Sequence, residues 1–170
     1  PIVAFLISQN IPPEHGLFLA SSMPVRDMDF FADMKGSPIP VGANRGSSGI
    51  DGTVACAAGF ARGLKQPVTV LTGDLAFLHD LNSLNYLRDN DYPVVAVVMN
   101  NNGGGIFSFL PIAQFEQYLE KYFVTPHDLT FEPVATMFGL SYYRPKDCQE
   151  FLSHYQEALR EKRSAIVEVR

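Results

Sequence analysis

Two short polar segments carry the chemistry of this sequence. Gly73-Asp74-Leu75 follows the apolar run Pro67–Thr72, and Asn100-Asn101-Asn102-Gly103-Gly104-Gly105 follows the apolar run Pro93–Met99. Asp74 is a hard, anionic oxygen ligand. Asn101 offers a neutral carbonyl oxygen, and the glycines after it free the backbone to turn a C=O inward. Mg²⁺ asks for a few protein oxygens of this kind and completes its octahedron with phosphate and water. Asp74 and Asn101 lie 27 positions apart, room for one helix and one strand, which predicts neighbouring strand ends. The glycines also expose backbone N–H groups that can cradle phosphate oxygens. Taken singly, each segment reads more readily as a turn, because Gly-Asp and Asn-Gly are common turn pairs. Together, at that spacing, they predict a diphosphate–Mg²⁺ site.

Positioning such a site requires strands that end beside one another. Six short apolar runs read as strands: Gly16–Ala20, Ile39–Ala43, Pro67–Thr72, Pro93–Met99, Leu140–Tyr143 and Ala165–Val169. They are near-continuous rather than alternating, as in a parallel sheet covered on both faces. Helices are predicted over Pro24–Met34, Asp51–Leu64, Leu78–Asn90, Glu116–Phe123, Phe131–Phe138 and Asp147–Lys162, the last with an Asp147 N-cap and Glu150 three residues on. The alternation predicts an α/β fold: a doubly wound, mainly parallel six-stranded sheet with helices on both faces, in one domain. Ligands in such sheets bind beyond the carboxyl ends of the strands, where the polar and glycine-rich residues gather.

Composition narrows the function. Hydrophobic residues make up 46% of the 170, so a core can form, whereas charged residues are only 18%, which suggests a face meant to be covered. A net charge of −5 with no basic patch disfavours nucleic acid as a partner. Two distant cysteines, Cys56 and Cys148, exclude a disulfide scaffold and suit a reducing, cytoplasmic compartment. No apolar run is long enough for a membrane span. The opening PIVAFLISQNIP lacks a charged leader and is expected to be the first helix of a domain belonging to a longer protein. The four histidines, His15, His79, His127 and His154, share no ligand spacing. Asp51 and Asp80 fit helix capping as well as ligation, and Cys56, in an Ala-rich helix, is expected to be buried.

The Gly-Asp-Leu and Asn-Asn pair resembles the cofactor motif of thiamine diphosphate enzymes, with Leu75 in place of a final glycine. Ser22-Met23-Pro24-Val25-Arg26-Asp27, the stretch NRGSSGIDG from Asn44 to Gly52, and NNNGGGIFSFL from Asn100 to Leu110 are similar to the MenD family, over the whole chain. That resemblance implies the diphosphate-binding domain (the thiamine diphosphate-binding fold) of a three-domain, cytoplasmic enzyme that is a homodimer or homotetramer. The cofactor's pyrimidine ring would sit in the pyrimidine-binding domain of a second subunit. It implies thiamine diphosphate with Mg²⁺ (or Mn²⁺), held by Asp74, Asn101 and the Gly103 carbonyl. Cofactor contacts would come from Ser48, Gly49, Ile50, Gly73, Leu75, Ala76, Gly104, Ile106 and Phe107 as well. It further implies decarboxylation of 2-oxoglutarate and addition of the succinyl semialdehyde carbanion to isochorismate, in menaquinone or phylloquinone synthesis. Guanidinium forks match carboxylates, so Arg26 and Arg45, with Ser22 and Leu110, are the substrate-binding candidates. The activating glutamate of that family belongs to the pyrimidine-binding domain. No acidic residue here matches its motif, and the chain alone is expected to be inactive.

The residues by themselves leave two other readings open. One is a thiamine diphosphate carboligase of the acetolactate-synthase type, disfavoured by the two arginines. The other is a non-catalytic nucleotide-binding module, although neither GxGxxG nor GxxxxGK[ST] appears.

Overall fold

The computed structural model describes residues 1–36, 38–44 and 49–170. Six parallel strands form one sheet: β1 (Gly16–Leu19), β2 (Val41–Ala43), β3 (Val68–Gly73), β4 (Val94–Met99), β5 (Ser141–Tyr143) and β6 (Ala165–Val169). Their spatial order is β2-β1-β3-β4-β6-β5. Each predicted strand is present, within two residues at either end.

Alternate residues of the strands feed two separate cores, which is why the strands read as unbroken apolar runs. Val94, Ala96 and Val98 of β4 pack with α3 (Thr53–Leu64), α4 (Asp74–His79), α5 (Leu84–Arg88) and α7 (Glu132–Phe138). Val95 and Val97 face the other way, onto α1 (Ile2–Asn10), α2 (Met23–Phe31) and α8 (Cys148–Arg160). In the sequence between α5 and α7, α6 (Glu116–Tyr118) runs into a π-helical stretch, Leu119–Val124. The connection leaving β1 runs toward the β2 edge, while that leaving β3 runs toward β4 on the opposite face. The winding direction therefore reverses between β1 and β3, where a crevice opens at the carboxyl ends. No helix among the described residues is long and apolar enough to cross a membrane.

Local signals set most helix boundaries. Asp147 caps α8 by accepting from the Gln149 and Glu150 N–H groups, and Glu150 reaches back to the Lys146 N–H. The segment predicted as one helix over Leu78–Asn90 is a correction. Helix begins four residues earlier, at Asp74, breaks at Asp80 and resumes at Leu84. The break has a physical cause: the Asp80 carboxylate is drawn to α3, where it accepts from the Val54 N–H at 2.6 Å and the Ala55 N–H at 3.0 Å. Gly52, at the cap position of α3, has no side chain to supply that oxygen. Ser83 Oγ completes the carboxylate's shell at 2.6 Å. Asp80→Ala should cost about 1–3 kcal/mol in urea denaturation, since two helix N–H groups and a serine lose a buried acceptor. A change in midpoint too small to measure would contradict this role.

Cys56 is a second correction. It is exposed, because the buried stripe of α3 consists of Thr53, Val54, Ala57, Ala58 and Ala61 and position 56 falls on the outer side.

Candidate functional site

The β3–β4 register pairs Gly73 with Met99, so Asp74 and the asparagine tract leave the sheet at the same level. Asp74 is 1% exposed. Its Oδ1 accepts from the Leu75 N–H at 2.7 Å and its Oδ2 from the Gly103 N–H at 2.8 Å, so the glycine loop is pinned directly onto the carboxylate. Gly103 has φ +127, and a Cβ there would run into the Val124 carbonyl. A Cβ on Gly105 would strike the Asn101 side chain. Gly103 is thus fixed by backbone conformation and by close approach, whereas at Gly105 the obstacle is the end of a movable side chain.

The three asparagines do different work. Asn100 is buried; its Nδ2 donates to Glu168 Oε1 at 2.7 Å and to the Leu129 carbonyl at 2.9 Å, and its Oδ1 accepts from the Asn102 N–H. Asn102, at φ +63, accepts with Oδ1 from the N–H groups of His127 and Asp128 and donates with Nδ2 to Asp128. Only Asn101, between them, is exposed and faces the cavity.

That cavity, about 560 Å³, opens at the carboxyl ends of the strands. It brings together twelve of the residues singled out from the sequence: Ser22, Arg26, Ile50, Gly73, Asp74, Leu75, Ala76, Asn101, Gly103, Gly104, Ile106 and Phe107. Gly49 and Leu110 are not in its wall. Arg45 and Ser48 lie outside the described residues. Met23, from the Ser22–Asp27 stretch, also lines it, as do Leu71 and Met99, which nothing in the sequence distinguishes from ordinary core residues. Arg26 is exposed at the cavity and donates from Nη1 to the Ser22 carbonyl at 2.7 Å. Ser21 Oγ donates to the Asn44 carbonyl at 2.6 Å, tying the ends of β1 and β2 together.

Backbone strain concentrates here. Ser22, Asn102, Thr125 and Asp128 all have φ between +48 and +73. Ser22 is in the cavity wall, and the other three belong to the glycine loop or to the segment packed on it. Residues held in this region cost on the order of 1–3 kcal/mol each and cluster at functional sites.

Sequence reasoning gave His127 no partner, yet its Nε2 lies 3.2 Å from Asp74 Oδ2 across 53 residues of chain. No local pattern points to that contact. Among the described residues no three His, Cys, Asp or Glu side chains group into a metal cluster. A cation at Asp74 would therefore be held by one carboxylate and by neutral oxygens. The donors at hand fit that need: the Asp74 carboxylate, the Asn101 amide and the Gly103 carbonyl, all at one cavity. The Gly103 carbonyl accepts from the Gly105 N–H at 2.9 Å and keeps its second lone pair.

The chain is 58% identical over 169 residues to 2-succinyl-5-enolpyruvyl-6-hydroxy-3-cyclohexene-1-carboxylate synthase of Rubrobacter xylanophilus, covering 99% of this chain and 29% of that protein. It is 52% identical over 170 residues to the protein of the same name from Salinibacter ruber, covering all of this chain and 28% of the relative. The chain thus spans under a third of the length of these curated relatives, and the resemblance to MenD proteins holds along its whole length. The crystal structure of benzoylformate decarboxylase from Polynucleobacter necessarius superposes with a TM-score of 0.83 over 98% of this chain and 32% of that one, at 22% identity, which speaks for the fold alone. The model of the thiamine pyrophosphate enzyme C-terminal TPP binding domain matches residues 39–169. Because that match runs from just before β2 to the end of β6, through both segments that meet at Asp74, the chain belongs to the family of C-terminal TPP binding domains of thiamine pyrophosphate enzymes.

Proposed function

We propose that this chain is the diphosphate- and Mg²⁺-holding domain of a longer thiamine diphosphate-dependent synthase. That enzyme decarboxylates 2-oxoglutarate and adds the remaining four-carbon unit to isochorismate, on the way to menaquinone or phylloquinone. The observation that carries this reading is the meeting of Asp74 with the glycine loop at a cavity in the strand-order switch, in a chain more than half identical to synthases of that name.

In this reading Asp74, Asn101 and the Gly103 carbonyl hold the cation. Gly73, Leu75, Ala76 and Gly104 border the diphosphate, with Ser48 and Gly49 as further candidate contacts. The bound cofactor supplies the electron sink for decarboxylation. The chain's own part is position and environment. Ile50, Ile106 and Phe107 would exclude water from the reacting end and lower the local dielectric, an environment that favours chemistry in which separated charge is lost. Arg26, with Arg45 and Ser22, grips substrate carboxylates, with Leu110 as a further candidate contact. The exposed aromatic side chains Phe109, Phe115, Tyr118 and Tyr122 are covered by the pyrimidine-binding domain of a second subunit in a cytoplasmic homodimer or homotetramer. That domain supplies the activating glutamate, so the chain alone turns nothing over.

The test offers the full-length protein 2-oxoglutarate or pyruvate, each with isochorismate, thiamine diphosphate and Mg²⁺. Consumption of 2-oxoglutarate far ahead of pyruvate is expected. Preference for pyruvate would move the protein to the acetolactate-synthase type, and turnover by the 170-residue chain alone would overturn the division of labour.

A further inference from the structure

The Asp74–His127 contact has a geometry that fixes the direction of its hydrogen bond. His127 Nδ1 lies 3.0 Å from the Leu129 backbone nitrogen, whose N–H can only donate. Nδ1 is therefore an acceptor without a proton, and the ring proton sits on Nε2, where it faces Asp74 Oδ2 at 3.2 Å. The ring has little freedom to leave. Its side chain is 10% exposed and sits beside Phe131, with ring centroids 6.5 Å apart. Its own N–H donates to Asn102 Oδ1 at 3.1 Å, and the next N–H, of Asp128, donates to the same oxygen at 2.8 Å. The asparagine that shapes the glycine loop thus also sets where the imidazole stands.

Asp74 Oδ2 consequently has two donors, the Gly103 N–H and His127 Nε2–H, while Oδ1 has only the Leu75 N–H. A carboxylate offers about four lone-pair directions across its two oxygens, and three are taken. We propose that His127 is a positioning residue for the cation site: by occupying Oδ2 it locks the Asp74 carboxylate in one rotation and leaves Oδ1 to the cation. This inference rests on the reading of Asp74 as a metal ligand. Groups that orient a metal ligand in this way typically contribute 10–100-fold in metal affinity.

The test measures Mn²⁺ binding to the full-length protein by loss of the free-ion electron paramagnetic resonance signal, with saturating thiamine diphosphate. Three proteins are compared: the parent, His127→Phe, which fills the space without a donor, and His127→Gln, whose amide N–H can reach Oδ2. His127→Leu replaces the phenylalanine variant should that one fail to fold. The expected result is about 10-fold or greater weakening in the donor-less variant. Most of the affinity should return in His127→Gln, and any fall in melting temperature without metal and cofactor should be small beside the loss of affinity. Equal affinity in parent and donor-less variant would overturn the proposal, as would a glutamine variant no better than phenylalanine, which would leave only ring packing. A loss of affinity fully matched by a fall in metal-free melting temperature would overturn it too. A parent that takes up no Mn²⁺ even with cofactor would instead refute the metal-ligand reading, and the proposal with it.

Discussion

Asp74→Ala in the full-length protein should abolish Mg²⁺-dependent binding of thiamine diphosphate, weakening it by about 100-fold or more in calorimetry. In the proposed site this is the only anionic side chain among the cation's protein ligands, and a cation contact of several kcal/mol translates into at least two decades of affinity. The loss has a second component, because Oδ2 also receives the Gly103 N–H. With the carboxylate gone, that buried N–H and the His127 ring lose their acceptor, at about 1–3 kcal/mol of stability. Asp74→Asn separates the two effects. It keeps the shape and an acceptor for the loop but removes the charge, so its melting temperature should stay closer to the parent's while cation-dependent binding is still lost. Undiminished binding in Asp74→Asn, with its Mg²⁺ dependence intact, would exclude Asp74 as the cation's ligand.

Glu168→Leu should destabilise the protein by about 3 kcal/mol or more, because three neutral donors lose their acceptor at about 1–3 kcal/mol each. Glu168 has no exposure at all, although it stands in the apolar strand β6 opposite Val98 of β4. Its Oε1 accepts from Asn100 Nδ2 at 2.7 Å; its Oε2 accepts from the Phe131 N–H and the Tyr142 hydroxyl, both at 2.8 Å. Burial and the nearby carboxylate push the Tyr142 phenol well above its usual pKa, so its O–H remains a donor at any working pH. Leucine would leave three donors unpaired inside the protein. The damage should also reach the cation site, since Asn100 holds the Asn102 N–H and Asn102 holds the backbone on both sides of His127. Glu168→Gln, with one acceptor oxygen retained, should fall between parent and leucine variant. Urea denaturation decides: a leucine variant within about 1 kcal/mol of the parent would mean that these donors find other partners.

The elements that make the sheet were legible because their causes are local. VVAVVM is apolar at every position since β4 is covered on both faces, and Asp147 announces α8 because its oxygen bonds the N–H groups two and three residues ahead. Asp74 and Asn101 were legible as a pair for a related reason: they stand one and two residues beyond neighbouring strands, and parallel strands of equal length end level. The one helix drawn over Leu78–Asn90 failed where a distant force intervened, the pull of α3 on Asp80. Leu84 and Leu87 still took the buried places that their spacing indicated.

What sequence alone determined is therefore the order of elements, the parallel sheet and the two polar segments at the carboxyl ends of its central strands. Tertiary structure decided which side chains complete them. Asp80 meets Val54 across 26 residues, His127 meets Asp74 across 53, and Glu168 meets Asn100 across 68. Each pair is a hydrogen bond between polar groups that leave no periodic trace in the chain. A backbone pattern is written by neighbours one to four residues apart, whereas a buried carboxylate takes whichever donors the packed strands and loops bring to it.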